Sequence, residues 1–177
     1  RSANAVSANA ALIGKVSFAS ELLPLSTVTA TFLMHMIGYL AVLAVLAFTG
    51  THLSVLGILA SIPLLFFMFL LAAGIALFAS SLQVFVRDVG QMLPPLMTFW
   101  FFTTPILYSA SILPDRYLSL FNSNPITWYV EHLRNFILFG NFQLSFYDLV
   151  VPVVSVLLFW ISLVFFRRLS RHFEDFL

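Results

Sequence analysis

Charged residues divide the chain into long apolar stretches. Glu21 and Arg87 are separated by 65 uncharged residues, 22–86. Further uncharged stretches of 26 and 18 residues cover 89–114 and 149–166. A helix needs roughly 20 apolar residues to cross a bilayer core of about 30 Å. The first stretch can therefore hold two membrane spans, and each of the other two can hold one.

Turn-forming and helix-breaking residues set the limits of these spans. The polar segment 49–52 divides the first stretch, and Pro105 is expected to break or bend the third span. The pattern predicts an all-α membrane protein, with one domain over residues 1–177. Its four transmembrane helices are predicted at about 25–48, 53–82, 92–113 and 148–166.

A different element is predicted over about 115–147, between the third and fourth spans. Within it, residues 126–139 form an apolar segment of 14 residues, too short to cross the core, with Glu131, His132 and Arg134 in its middle. Such a segment predicts a re-entrant or interfacial helix. A re-entrant helix needs protein or a wet cavity around it at membrane depth, so we expect this one to lie over or beside a pathway. Because Glu131 and Arg134 are three residues apart, we expect them to pair on one helix face.

The two ends of this re-entrant helix carry suitable capping residues. Asn124 and Pro125 are typical of a helix start, and Gly140 is typical of a helix end. Trp128 and Tyr129 lie in its first turns, where aromatic rings are common near a membrane interface.

Basic residues give the predicted orientation. In a four-span arrangement, one side of the membrane holds six of the eight basic residues: Arg1, Lys15, Arg87, Arg167, Arg168 and Arg171. The other side holds Arg116 and Arg134. Cytoplasmic loops carry the excess of Lys and Arg. We therefore expect residues 1–24, the turn after the second span and a tail over 167–177 to be cytoplasmic, with both ends of this chain inside.

Composition and missing motifs exclude several classes of function. Hydrophobic residues make up 61% of the chain and charged residues 8%, whereas soluble domains carry about 25% charged residues. A net charge of +1 excludes a nucleic-acid binder. The chain has no cysteine and only scattered histidines, so no metal site is expected. Its single lysine, Lys15, lies outside any GxxxxGK[ST] motif, so the chain has no ATP-binding loop of that kind. Asp148 lies at the edge of the fourth span, and no carboxylate lies at mid-membrane depth, where a proton pump would need one.

Three groups of residues remain as functional candidates, each with a simpler structural explanation. Segment 1–24 is either an interfacial helix or a coupling element that contacts a partner. Arg87 and Asp88 form either a topological anchor or a contact with that partner. The aromatic residues of 99–102 and Tyr108 either belong to the membrane belt and helix packing or stack on sugar rings along a path.

Four segments of the sequence resemble the permease subunit of ABC-2 type exporters, in the branch that exports polysaccharides such as O-antigen, capsule and teichoic acid. The segments are NAALIGKVSFASELLP, FVRDVGQMLPPLMTFWFFTTPILYS, NPITWYVEHLRNFILFG and FRRLSRHFEDFL. They occur in the family's order over nearly the whole chain. One small departure is that Ala19 and Ser20 occupy the place where the family commonly has a proline.

The resemblance implies a topology and a set of partners. Family members have six spans with a re-entrant region before the last one, so the four spans here match the last four, and an amphipathic helix and two spans would precede them. The resemblance further implies a homodimer, an ABC ATPase subunit that binds ATP and magnesium, a lipid-linked glycan as substrate and a bacterial inner-membrane location. No cofactor is expected in this chain.

Particular residues are expected to carry these roles. Those expected to couple the permease to the ATPase are Lys15, Phe18, Glu21, Arg87 and Asp88. Those expected to line the substrate path are Phe99, Trp100, Phe102 and Tyr108. Those expected to form the outer gate are Asn124, Pro125, Trp128, Tyr129, Glu131, Arg134 and Gly140.

Two alternatives to glycan export stay open from the sequence. The first is an ABC-2 exporter of a drug or a lipid, which predicts the same fold. The second is a membrane-embedded enzyme that acts on a glycan lipid. It would need polar catalytic groups at one membrane face, and those available on the outer side are Asp115, Arg116, Glu131, His132 and Arg134.

Overall fold

The α-helices of the chain follow the apolar stretches of the sequence. A computed structural model describes residues 2–9, 19–106, 108, 116, 121, 123–142 and 146–175. The helices are α1 (Leu22–Phe48), α2 (Val55–Phe85), α3 (Val89–Phe102), α4 (Pro125–Arg134) and α5 (Val150–Leu169). Helices α1, α2 and the last helix, counted to Phe173, are long and apolar enough to cross a membrane. The predicted all-α membrane fold is confirmed.

A tight turn connects α1 to α2. Gly50 adopts a φ of 76°, the left-handed conformation that a glycine reaches without steric cost. The Ser54 hydroxyl then accepts a hydrogen bond from the Gly57 N–H at 3.0 Å and caps α2. With 31 residues, α2 is about 46 Å long, longer than a bilayer core.

Helix α3 occupies only the first part of the predicted third span. It has 14 residues, about 21 Å, and ends at Phe102. Residues 103–106 form turns, because Pro105 has no N–H to continue the helix. The hydroxyls of Thr103 and Thr104 both donate to the Trp100 carbonyl, which the helix no longer uses. Residues 107 and 109–113 of that span lie outside the described part of the chain.

Helices α2 and α5 form the centre of the bundle. On α5 the side chains of Ser155, Ser162 and Phe166 are buried, and their spacing places them on one helix face. On α2, Gly74 lies so close to the backbone of Phe159 that an added Cβ would be 2.9 Å from its nitrogen. Small residues let two membrane helices approach in this way.

Helix α1 lies at the edge of the bundle. Only 6% of its most apolar 18-residue window is buried. It contacts α2 through the hydroxyls of Tyr39 and Ser61, 2.8 Å apart, and through the rings of Phe32 and Phe69, whose centroids are 5.1 Å apart. Lipid or other protein segments must therefore cover most of its apolar surface in the membrane.

Two hydrophobic clusters occupy opposite ends of the bundle. The first lies where α2 ends and is built from Val6, Leu77, Val84, Phe166 and Phe173. We call it the Arg87 end, after the turn between α2 and α3. The second lies beneath α4 and is built from Leu64, Leu71, Tyr129 and Phe136. We call it the Trp128 end.

The close approach of α2 and α5 yields a stability prediction. Replacing a helical glycine by alanine ordinarily stabilises a helix by up to about 1 kcal/mol. We expect Gly74→Ala instead to destabilise the protein by roughly 1–3 kcal/mol, since the new methyl group meets the backbone of α5. Gly38→Ala in α1 is the matched control, because an added Cβ there meets no atom within 4 Å. Thermal unfolding in detergent should separate the two variants, and equal melting temperatures would contradict this packing.

Candidate functional site

Helix α4 and the turn that follows it form a continuous element at the Trp128 end. The five residues Asn135–Phe139 continue α4 as a π-helix, and Gly140 ends it with a φ of 59°. The Ser54 N–H donates to the Ile137 carbonyl at 2.9 Å, and an added Cβ at Gly57 would overlap the Phe136 carbonyl oxygen. Gly140 therefore ends this helical element as predicted, and the start of α2 packs against its last turn.

Asn124 joins the start of α4 to the end of α3. Its side-chain oxygen accepts from the Ile126 N–H and from the Trp100 indole N–H, each at 3.0 Å. Its amide group donates to the Thr104 hydroxyl oxygen at 2.9 Å. With Pro125 in the first helical turn, Asn124 caps α4 as the sequence predicts. The same side chain also fixes a predicted path residue, Trp100.

Tyr129 attaches α4 to α5. Its hydroxyl lies 2.7 Å from the Ser155 hydroxyl, which donates its own proton to the Val151 carbonyl at 2.8 Å. Tyr129 is therefore the donor in this pair. Burial raises the pKa of the Tyr129 hydroxyl above its usual value of 10, although the hydrogen bond to Ser155 acts in the opposite direction. The tyrosine stays neutral and keeps its proton for this contact.

A second group of polar contacts joins α4 to the segment just before α5. The Trp128 indole N–H donates to Asp148 Oδ1 at 2.8 Å, and the Nε2 atom of His132 lies 3.0 Å from the same oxygen. The imidazole and indole rings stack with their centroids 4.1 Å apart. The predicted gate residue Trp128 thus belongs to a three-residue group that also includes two residues not predicted to take part.

Glu131 and Arg134 do not pair as the sequence predicted. The described residues include an ion pair between Arg167 and Glu21 and a contact between His132 and Asp148, but none between Glu131 and Arg134. Arg134 turns toward the carbonyls of Pro105 and Ile106, at 3.5 and 3.4 Å. These oxygens lie in the turn residues that follow α3, and they accept from the guanidinium donors. Arg134 therefore links α4 to the α3 terminus instead of bracing α4 alone.

The predicted path residues lie on or beside a cavity of about 500 Å³ at the Trp128 end. The side chains of Phe99 and Trp100 line it, with the polar groups of Thr103, Ser123 and Asn124 nearby. Phe102 is exposed, but it does not line this cavity. Tyr108 donates a hydrogen bond to the Phe102 carbonyl at 3.1 Å. The described structure therefore brings two of the four predicted path residues onto one aromatic cavity.

Charged residues gather at the Arg87 end. Glu21, just before α1, accepts a hydrogen bond from Arg167 Nε at 2.9 Å, which ties the first span to the last. Arg87 and Asp88 are exposed in the turn between α2 and α3, which Gln83 supports by donating to the Arg87 carbonyl at 3.0 Å. The predicted coupling residues Lys15 and Phe18 lie outside the described residues.

Four contributors to this site were not predicted: Thr104, His132, Asp148 and Ser155. Asp148 offered a signal, because it is an acid directly before the last apolar stretch. Ser155 and Ser162 are seven residues apart and share a helix face, which marks a polar stripe on that span. In the part of the chain that the structure describes, no group of three His, Asp or Glu side chains could hold a metal ion.

The Asn124 contacts yield a graded prediction. Asn124→Asp keeps the acceptor for Ile126 and Trp100 but loses the donor to Thr104, whose own proton is used on the Trp100 carbonyl. Asn124→Ala loses all three contacts. We expect Asn124→Ala to lower the free energy of unfolding by about 2 kcal/mol and Asn124→Asp by less. Denaturation in detergent tests this order of stabilities. An aspartate variant with a lower free energy of unfolding than the alanine variant would contradict it.

Comparison with known proteins agrees with this architecture. Residues 19–138 match the protein family described as ABC-2 type transporter. Two proteins of Klebsiella pneumoniae, each named O-antigen export system permease protein RfbA, are 27% identical to this chain over 172 residues. That alignment covers 96% of this chain and 65% of each relative, so the chain spans less than two thirds of their length. The family match covers more than half of the sequence and the helices are apolar enough to span a membrane several times: the chain belongs to the ABC-2 type transporter family of multi-pass membrane proteins.

Proposed function

We propose that this chain is the transmembrane permease subunit of a bacterial ABC exporter that moves a lipid-linked polysaccharide across the inner membrane. ATP hydrolysis in a separate ABC ATPase subunit, which binds ATP and magnesium, drives the transport, and a second copy of the chain completes the path. The observation that carries this proposal is the re-entrant helix α4, held beside an aromatic cavity between the end of α3 and the start of α5.

The chemistry of the cavity suits a sugar. Phe99 and Trp100 supply flat apolar faces, and the C–H face of a pyranose ring can stack on such a face. Thr103 and Asn124 supply a hydroxyl and an amide that can exchange hydrogen bonds with sugar hydroxyls. Apolar walls with a few placed polar groups are usual for a binding site. The described residues that line the cavity are all uncharged, which favours a neutral glycan segment.

The distribution of basic residues supports one orientation. Arg87, Arg167, Arg168 and Arg171 lie at the Arg87 end, whereas Arg134 lies on α4 at the other. The excess of arginine supports a cytoplasmic position for the Arg87 end. The aromatic cavity and α4 then lie toward the outer face, where α4 closes the path as an outer gate.

Coupling to the ATPase takes place at the Arg87 end. Arg87 and Asp88 are exposed in a turn that α2 and α3 share, so force applied to this turn reaches both helices. The contact between Glu21 and Arg167 transmits the same displacement to α1 and α5. Lys15 and Phe18 belong to the same proposed contact surface. Rigid helices then carry the displacement to the Trp128 end.

Export of a glycan can be tested in cells that make the polymer. Deleting the permease should trap lipid-linked polymer inside the cell, and the full-length protein should restore surface polymer. Phe99→Ala should lower export roughly tenfold, the equivalent of about 1.4 kcal/mol of lost stacking. Phe48→Ala is the matched control, because Phe48 is 92% exposed at the end of α1, away from the cavity.

Two outcomes would count against glycan export. Normal surface polymer after deletion of the permease would favour the export of a drug or lipid instead. Activity of the purified permease on a glycan lipid without any ATPase would favour a membrane-embedded enzyme.

The coupling role of the turn can be tested separately. Arg87→Ala and Asp88→Ala should each reduce substrate-stimulated ATPase activity of the reconstituted complex by roughly tenfold while the complex still assembles. Their side chains are exposed, so their loss should leave the melting temperature nearly unchanged. Gln91→Ala, exposed in the first turn of α3, is the control. Full coupling in both charge variants would remove the turn from the proposal.

A further inference from the structure

We propose that a second cavity, between α2 and α3, binds the hydrocarbon chain of the lipid-linked glycan before the lipid crosses the membrane. This α2–α3 cavity has a volume of about 460 Å³ and shares one lining residue, Trp100, with the aromatic cavity. The identity of the lipid rests on the function proposed above. The fit of the cavity to one hydrocarbon chain rests on the described residues.

The main walls of the α2–α3 cavity are two facing helix stripes. On α3 the lining residues recur with helical spacing from Gly90 to Trp100, and on α2 they do so from Met68 to Ala79. Residues of α1, of α4 and of the segment 2–4 complete the walls. Five elements of the chain therefore contribute to this cavity, in contrast to an open face of a single helix.

The depth of the α2–α3 cavity matches one leaflet of a bilayer. Gly90 and Trp100 are about 15 Å apart along the axis of α3, and Met68 and Ala79 are about 16 Å apart along α2. Half of a bilayer core is also about 15 Å thick. Because Gly90 follows the turn at Arg87, the cavity extends from the Arg87 end to the middle of the membrane. In the orientation proposed above, this is the leaflet from which an exporter takes its substrate.

The volume of the α2–α3 cavity favours a lipid with one chain. An apolar cavity of about 150 Å³ binds benzene, so the space here accommodates about three such rings, or roughly 18 carbon atoms. The described residues that line it are all uncharged. A phospholipid has two long chains and would exceed this space, whereas the first part of a single chain fits.

A buried acceptor at the Arg87 end suits a headgroup that carries hydroxyl groups. Gln83 is 8% exposed, and its amide donates to the Arg87 carbonyl, which fixes the direction of its side-chain oxygen. That oxygen has no hydrogen-bond partner among the described residues. It lies against Gly90, where an added Cβ would be 2.9 Å from it and 2.7 Å from Asn4 Oδ1. A buried acceptor without a donor is costly, and a sugar hydroxyl next to the lipid chain would supply the donor.

Trp100 connects the α2–α3 cavity to the outer gate. Its ring lines both cavities, and its indole N–H donates to Asn124, the residue that caps α4. A chain that reaches the far end of the α2–α3 cavity therefore contacts the residue that bonds α3 to α4.

Photolabelling can locate the bound chain. The probe is farnesyl phosphate with a diazirine at the end of its chain, added to the full-length permease and its ATPase in nanodiscs. We expect cross-links to residues 68–79 of α2 and 90–100 of α3. Lipid-linked glycan extracted from producing cells should suppress them, whereas more phosphatidylglycerol in the nanodisc should not. Cross-links confined to other residues, or equal suppression by phosphatidylglycerol, would overturn the proposal.

Ala72 allows the cavity to be filled without disturbing the packed helices. It lines the α2–α3 cavity and is itself exposed, so a larger side chain there occupies the space of the lipid chain. Ala72→Phe should lower photolabelling roughly tenfold, because the chain must displace an aromatic ring. Ala72→Ser, which is close to alanine in size, should keep it. Ala44→Phe is the second control, because Ala44 is exposed on α1 and does not line this cavity.

These variants should share the wild-type melting temperature, since both alanines are exposed. Unchanged labelling of a folded Ala72→Phe variant would overturn the lipid site. In producing cells, Ala72→Phe should trap lipid-linked polymer inside, and Ala72→Ser should not. Normal export by Ala72→Phe would overturn the role of the cavity in loading the substrate.

Two combined outcomes separate this inference from the proposed function. Trapped polymer after deletion of the permease, together with no labelling of α2 or α3, would support glycan export and overturn the lipid site. Normal surface polymer after deletion, together with labelling that Ala72→Phe suppresses, would overturn glycan export and support a site for a single-chain lipid.

Discussion

The fold depends on one constraint: backbone groups that leave a helix at membrane depth must find partners within the protein. Helix α3 stops at Phe102, and α4 begins at Pro125. The Trp100 carbonyl accepts from two threonine hydroxyls, and the carbonyls of Pro105 and Ile106 accept from Arg134. Side chains thus supply hydrogen-bond partners to the backbone where α3 ends.

The same constraint explains why side chains at this end serve more than one element. Asn124 caps one helix and anchors the aromatic end of another, and Trp128 belongs to α4 while its indole bonds the residue that precedes α5. At the Arg87 end the helices meet through apolar packing and one exposed ion pair. The two ends therefore differ in the interactions that join their elements. Side-chain hydrogen bonds join them at the Trp128 end, whereas an apolar cluster flanked by charged loops joins them at the Arg87 end. Movement transmitted between them passes through α2 and α5, the most closely packed helices.

Sequence reasoning found the architecture and a good part of the site. Charge spacing located α1, α2 and α5, and Pro105 marked the break after α3. These features could be predicted because they depend on the order of residues along the chain and not on how distant segments pack. Asn124, Pro125 and Gly140 were recognised by their capping chemistry. The partners of polar side chains were not recognised. Helical spacing suggested a pair between Glu131 and Arg134, but Arg134 donates instead to two carbonyls from a part of the chain that is distant in sequence. The link between His132 and Asp148 likewise depends on how two separate segments pack.

The short length of α3 has a consequence for the barrier that a polar cargo meets. From the turn at Arg87, α3 rises about 21 Å, while α2 beside it rises about 46 Å. Its aromatic end thus lies well short of the far end of the neighbouring span. Residues 103–106, which follow, form turns whose threonine hydroxyls donate back to the helix end. A hydrated polymer that moved along α3 would therefore be shielded by this helix over only about 21 Å, and the rings of Phe99 and Trp100 lie where that helical wall stops.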